Sequence, residues 1–179
     1  MIIAVWGFAG SGKNTLGKLI AERLGYRLVC PTFKDIAKQQ GISLMELQKM
    51  AEKDSSIDKK FDDLLKKEAA GGNCVVTTWL GPWMVNADVR IKIAVSERTR
   101  AERVAKRDGI SFDEALKHVR ERDRNNIERY KAIYGIDIRD EKIFDAILDG
   151  EHSTPEELLE MAMKVIEKKM RRSGSEKHR

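Results

Sequence analysis

Residues 2 to 24 constrain this chain more than any other stretch. The apolar run Ile2-Ile3-Ala4-Val5-Trp6 leads directly into Gly7-Phe8-Ala9-Gly10-Ser11-Gly12-Lys13, and a helical pattern follows. A short apolar run rich in Ile and Val predicts a strand. Leu16, Leu19, Ile20 and Leu24 then fall on one helix face, and Gly25 stands where such a helix needs a left-handed residue to end. Gly7-x4-Gly12-Lys13 has the spacing of a Walker A loop. In such a loop, glycine torsions turn successive backbone N–H groups toward phosphate oxygens, the helix start adds positive potential, and the lysine reaches the β- and γ-phosphates. The candidate nucleotide-binding residues are therefore Gly7, Phe8, Ala9, Gly10, Ser11, Gly12, Lys13, Asn14 and Thr15, with Lys13 also the candidate catalytic cation. The alternative is a tight glycine turn with no ligand, against which the flanking strand and amphipathic helix argue.

One position departs from the motif. After the lysine, the pattern expects a Ser or Thr whose hydroxyl meets Mg²⁺, and this chain has Asn14. An amide oxygen can coordinate a hard cation but carries no hydroxyl. Thr15 is turned about 100° further around the helix and cannot take its place. ATP with Mg²⁺ is the expected cofactor pair, while the residues that meet the metal stay open.

Further strands are expected at 27 to 30, ended by Pro31, at 74 to 78, at 89 to 95 and at 144 to 148. Strands separated by helices predict a three-layer α/β fold around a parallel sheet of about five strands. Three helix starts carry capping boxes, in which a hydroxyl and a Glu three residues on satisfy free backbone N–H groups reciprocally. They are Ser43 with Glu46, Ser111 with Glu114, and Thr154 with Glu157. The first two mark helical insertions at 33 to 70 and 108 to 137. A single domain spanning 1 to 172 is expected, followed by a disordered basic tail at 173 to 179.

Arg100, Arg103 and Arg107 share a helix face at i, i+3, i+7, and Arg120, Arg122, Arg124, Arg129 and Lys131 follow in the second insertion. Phosphoryl transfer needs cations that clamp phosphates and stabilise the transferred charge. Arg122 and Arg129, seven apart, project the same way and are the candidate catalytic arginines. Glu121, Asp123 and Glu128 are interleaved with them, so surface pairing is the competing reading.

The net charge of +5 lies wholly beyond residue 163, where seven Lys/Arg face two carboxylates. A solvated helix end and tail explains it, and a nucleic-acid partner is not expected. Cys30 and Cys74 show no paired spacing, and the histidines are scattered, so neither a disulfide framework nor a zinc site is expected. No apolar run approaches the roughly 20 residues of a membrane span, and Met1 to Trp6 lacks the basic start of a signal peptide. A cytosolic location is expected.

With these features in view, the chain resembles the archaeal-type cytidylate kinases, a branch of the nucleoside monophosphate kinases. The resemblance rests on residues 7 to 13, on Gly41-Ile42-Ser43-Leu44 with Ala51-Glu52-Lys53-Asp54, and on Trp83-Met84-Val85 with Ala87-Asp88. It also rests on Arg100-Ala101-Glu102-Arg103 and, most specifically, on Arg129-Tyr130-Lys131-Ala132-Ile133-Tyr134-Gly135-Ile136-Asp137. It implies a P-loop kinase fold whose first insertion holds an acceptor such as CMP and whose second is a lid closing over ATP. It further implies nucleotide substrates as partners, and a monomer is expected. Where the family has Phe-Arg after the second strand, this chain has Phe33-Lys34, so Lys34 is the candidate acceptor-binding residue. Lysine keeps the charge but loses the bidentate fork. Where the family has Glu-Gly-Arg after the third strand, the chain has Thr77-Thr78-Trp79. Two functions therefore remain open: transfer of the ATP γ-phosphate to CMP or a related monophosphate, and a nucleotide-binding relative with lost or redirected catalysis acting on a partner.

Overall fold

The computed structural model describes residues 1–43, 46, 47, 50 and 53–176, with the side chains of all of these except Phe33, Lys34 and 173–176. Strands β1 (Ile2–Trp6), β2 (Arg27–Val29), β3 (Cys74–Val76), β4 (Val89–Ala94) and β5 (Ala146–Asp149) form one sheet in the order β2-β3-β1-β4-β5, with every pairing parallel. The helices described from end to end are α1 (Lys13–Leu24), α2 (Phe33–Gln40), α3 (Ser56–Ala69), α4 (Gly81–Met84), α5 (Glu97–Asp108), α6 (Phe112–Tyr134) and α7 (Pro155–Glu176), with a 3-10 turn at Glu141–Ile143.

Alternation along β1 explains the three layers. Ile3 and Val5 point to one face, where Leu16 and Ile20 of α1 and Leu158, Leu159, Ala162 and Ile166 of α7 cover them. Ala4 points to the other face, where it joins Val29 and Val76 against Leu65 and Ala69 of α3. β1 lies between β3 and β4, so the chain order reverses beside β1 and opens a crevice at the carboxyl ends of the strands. Register pairs Ala4 with Val76. The glycine loop that follows β1 therefore faces the Thr77-Thr78-Trp79 segment that follows β3.

Tight packing holds that pairing in place. A methyl group added at Gly17 of α1 would come within 2.2 Å of Thr77 Cγ2, so the helix can lie this close to β3 only with a hydrogen at that position. All three capping boxes form as expected. α2 carries a fourth, Thr32 with Asp35, in which the shorter carboxylate does the work of a glutamate.

The structure corrects several boundaries. β2 and β3 end before Cys30 and Thr77, which leaves those residues in loops at the crevice. β5 begins at Ala146, because Phe144 turns out of the strand line to pack on Trp6 and Trp83. The tail expected from residue 173 is helical through Glu176. Gly174 lowers propensity by about 1 kcal/mol, which does not stop a helix already nucleated and packed over its preceding turns. Residues 177 to 179 lie outside the described part.

Gly17→Ala should cost about 1 to 3 kcal/mol, because the methyl group must push α1 off Thr77. Urea unfolding measures this directly. An unchanged midpoint would show that α1 can shift at no cost.

Candidate active site

Gly10 and Gly12 adopt φ of 79° and 91°, a region other residues rarely enter, and Ser11 N–H closes the loop on Phe8 C=O at 3.1 Å. Gly12 caps α1 with no side-chain hydrogen bond. The first N–H groups of the helix therefore point into the crevice ready for an anion.

The loop is braced from behind. Phe8 packs edge-on against Trp6 at 4.8 Å and lies under the Arg100 guanidinium at 5.3 Å. Arg100 is only 6% exposed. It donates to Ala9 C=O at 3.0 Å and to Asp123 at 2.6 Å, while Asp123 accepts from Ala9 N–H at 3.2 Å. Burial pushes the Asp123 carboxyl above the usual range, against the pull of Arg100. Asp123 is thus no member of a surface pair. Arg103 donates to Gly150 C=O at 2.6 Å, and Arg107 pairs with its neighbour Asp108. Arg100 and Arg103 hold backbone carbonyls, and Arg107 lies beside the loop.

Lys13 is pushed down to about 8, first by burial and then by the nearby Arg122. Its ammonium lies 5.0 Å from the Trp79 ring centroid, within cation–π range. Trp79 is fixed by the Trp6 indole N–H, which donates to its carbonyl at 2.8 Å, and by edge contacts with Trp6 and Phe8.

A cavity of about 350 Å³ opens from this point. The loop and the residues after β3 contribute Lys13, Asn14, Thr77, Thr78 and Trp79 to its wall. α3 contributes Asp58, Phe61 and Asp62, and α6 contributes Arg122, Asn126, Arg129 and Tyr130. A second cleft of about 460 Å³ is lined by Ala9, Gly10, Val104, Arg107, His118 and Arg122. Arg122 borders both cavities, and no carboxylate among the described residues pairs with it.

The two arginines singled out by sequence therefore part company. Arg122 is poised between the cavities, whereas Arg129 makes a bidentate pair with the buried Asp58 at 3.0 and 2.7 Å. Beside it, Tyr134 O–H donates to Asp62. Burial and the neighbouring Asp58 raise the Asp62 carboxyl to about 6, and the tyrosine bond opposes that rise. Ser11 Oγ, Thr77 Oγ1 and Thr78 Oγ1 are buried without a partner. Asn14 and Thr15 are exposed at the start of α1, and the Lys34 side chain lies outside the described part.

Sequence reasoning missed Asp58, Asp62 and Asp123. A signal for the first two was present: Asp58, Asp62, Leu65 and Ala69 recur at i, i+4, i+7, i+11 and form the buried face of α3. Asp123 had no such signal, since its partners lie 23 and 114 residues away.

A parallel sheet with a phosphate-binding loop after its first strand and an arginine-bearing helix over it defines a P-loop kinase. The chain belongs to the cytidylate kinase-like family, whose sequence pattern matches residues 2–152. It is 42% identical to the cytidylate kinase of Pyrococcus horikoshii over 93% of this chain and 88% of that one. To the cytidylate kinase of Pyrobaculum aerophilum it is 45% identical over 85% of each chain. Among solved structures it is similar in fold to a shikimate kinase from Bacteroides thetaiotaomicron, with TM-score 0.60 and 16% identity over 93% of this chain and 98% of that one. The deoxyadenosine kinase of M. mycoides gives TM-score 0.56 and 18% identity over 94% and 100%. No helix among the described residues is long and apolar enough to cross a membrane.

Two variants test the site. Lys13 has a folded pKa below its ordinary value, so the stability it contributes is present only above about 10.5 and is lost as pH falls through about 8. At pH 7 the charge is therefore a burden on the fold. Lys13→Met should raise the melting midpoint by about 2 to 4 °C while weakening ATP binding. A lower midpoint would mean that the Trp79 contact outweighs desolvation. Asp123→Asn strands Arg100 in the interior and should cost about 3 to 5 kcal/mol in urea unfolding. A loss below about 1 kcal/mol would show that Arg100 is satisfied by Ala9 and Val95 alone.

Proposed function

We propose that the chain is an ATP-dependent nucleoside monophosphate kinase whose acceptor is CMP or a close relative. One observation carries the choice of acceptor. Around Lys13 the loop, the residues after β3 and α6 line the cavity wall with cations and neutral groups: Asn14, Thr77, Thr78 and Arg122. Its two lining carboxylates sit on α3 and are engaged by Arg129 and Tyr134. An alcohol acceptor would need a base to take its proton. A phosphate monoester is already an anion near neutral pH and needs only cations and alignment. The family and its cytidylate kinase members support a nucleotide as the carrier of that phosphate.

In this reading the Gly7 to Thr15 loop and the start of α1 take the ATP phosphates, with Lys13 on the β- and γ-groups. An oxygen of the acceptor phosphate attacks the γ-phosphorus, the bond from that phosphorus to the bridging oxygen breaks, and ADP leaves with the electron pair. Arg122, bordering both cavities, neutralises charge on the group in transit. Arg129 contributes by fastening α3 to α6 through Asp58, and Lys34 is the proposed contact for the acceptor phosphate. Residues 33 to 70 serve as the acceptor-binding insertion and 108 to 137 as the lid of one domain spanning 1 to 172. The protein acts as a cytosolic monomer.

The donor set fits Mg²⁺ that arrives on the nucleotide. Such an ion keeps several waters and few protein ligands. Asn14 and the unpartnered hydroxyls of Thr77 and Thr78 are neutral groups suited to its shell. No group of three metal-ligating side chains among the described residues would bind it alone. When bound, the ion would neutralise the β- and γ-oxygens. Catalysis lost from a relative that still binds nucleotide is less well supported, since Lys13 and Arg122 both line the cavity.

A coupled assay of ADP release across CMP, dCMP, UMP, AMP and GMP tests the proposal, with CMP expected to give the highest kcat/KM. Preference for a hydroxyl acceptor such as shikimate or a nucleoside would overturn it. Arg122→Ala should lower kcat by about 10²- to 10³-fold with little change in the KM for ATP.

A further inference from the structure

Resting on the kinase reading of this site, we infer that Lys92 is a positioning residue for ATP: paired with Glu141, its ammonium fixes the ring of Phe8 and so the shape of the phosphate loop, without touching the nucleotide. Lys92 is only 8% exposed, and it walls neither cavity. It stands on β4 directly beside Trp6 of β1. Its ammonium lies 5.4 Å from the Trp6 ring centroid and 6.0 Å from that of Phe8, both within cation–π range. Glu141, at the start of the 3-10 turn, accepts a hydrogen bond from it.

Phe8 belongs to the phosphate loop, so what holds its ring holds the loop. The Arg100 guanidinium approaches that ring at 5.3 Å, and Trp6 meets it edge-on at 4.8 Å. Two cations and an indole thus enclose one side chain, while Arg100 and Asp123 fasten the backbone of the next residue, Ala9. Trp6 carries the same constraint across the crevice. Its indole N–H donates to the carbonyl of Trp79, whose ring centroid lies 5.0 Å from the Lys13 ammonium. Lys92 backs both contacts from behind the sheet's carboxyl edge.

Neither anchoring nor stability calls for this pair. The segment that returns from α6 to β5 is already held to β4, because Arg90 and Asp145 exchange two hydrogen bonds of 2.8 Å and Phe144 packs on Trp6 and Trp83. A buried ammonium loses its hydration, and well-packed apolar side chains in place of a buried ion pair are often as stable or more so. Glu141, with its side chain 55% exposed, can be hydrated on its own. What the ammonium supplies and an apolar chain does not is direction, since it is attracted to ring faces and so favours one orientation of Trp6 and Phe8.

Calorimetric titration of ATP and of CMP into the wild type, Lys92→Met and Glu141→Gln tests the assignment, with the melting midpoint of each recorded. Lys92→Met keeps a long apolar stem and removes the charge. Its Kd for ATP should rise by about 3- to 30-fold, the range that one or two lost cation–π contacts allow, while the Kd for CMP is unchanged and the midpoint is unchanged or higher. Glu141→Gln frees the ammonium to turn toward water and should weaken ATP in the same direction, which decides the matter if Lys92→Met does not fold. The double variant should bind ATP no more weakly than Lys92→Met, because the pair acts as a unit. Wild-type ATP affinity in both single variants overturns the role of Lys92 and leaves the kinase reading intact. Equal losses for ATP and CMP with a lower midpoint would show general loosening and overturn it as well. A wild-type protein that binds neither ATP nor CMP overturns the kinase reading itself.

Discussion

The ion pair between Arg100 and Asp123, closed over the backbone of Ala9, is the constraint on which the site depends. A loop with three glycines in six residues has little intrinsic preference for one shape, yet its N–H groups must converge on a phosphate. The pair fixes it by engaging both the N–H and the C=O of Ala9 while Phe8 is held beneath the same guanidinium. Buried ion pairs are weak sources of net stability, because desolvation offsets most of the attraction. What this one supplies is geometry. Because Asp123 is part of α6, fastening it also fixes its neighbour Arg122 at the border of the two cavities.

A second tie, from α3 to α6, shapes the opposite wall. Asp58 with Arg129 and Asp62 with Tyr134 join helices whose paired residues lie 71 and 72 apart in sequence. Between the two ties, Lys13 is left desolvated against Trp79, with Arg122 lowering its affinity for a proton further. An ammonium held this way lowers the stability of the fold and gains most from contact with a phosphate. Stability given up for binding is a trade that recurs where binding energy drives chemistry. The indole face of Trp79 offers the Lys13 ammonium a cation–π contact at 5.0 Å.

Local signals in the sequence were legible, and long-range ones were not. The glycine loop, the first strand, the end of α1 at Gly25 and the capping boxes each depend on residues within a few positions, and each stands as read. Strand ends were overrun by one or two residues because Cys30, Thr77 and Thr78 suit a strand by propensity but turn into the crevice. Arg129 was grouped with Arg122 from a spacing of seven. Spacing fixes a shared face but not a partner, and Asp58 claims only one of the two. The charges interleaved along α6 looked like surface pairs, and that reading holds for Glu121 with Lys117, while the exposed Arg120 pairs across to Glu97 of α5. Asp123, three residues on, is buried because α5 and the loop converge there, which no window of α6 alone reveals.

The central claim is that one continuous site joins donor and acceptor across Lys13 and Arg122. Its most direct test is the affinity of a bisubstrate ligand in which adenosine and cytidine are linked through five phosphates, measured by calorimetry beside ATP and CMP alone. If both cavities belong to one transfer site, the linked ligand should bind at least about 100-fold tighter than ATP, and saturating CMP should compete with it. Affinity no greater than that of ATP, with no competition from CMP, would show that the two cavities do not serve one reaction.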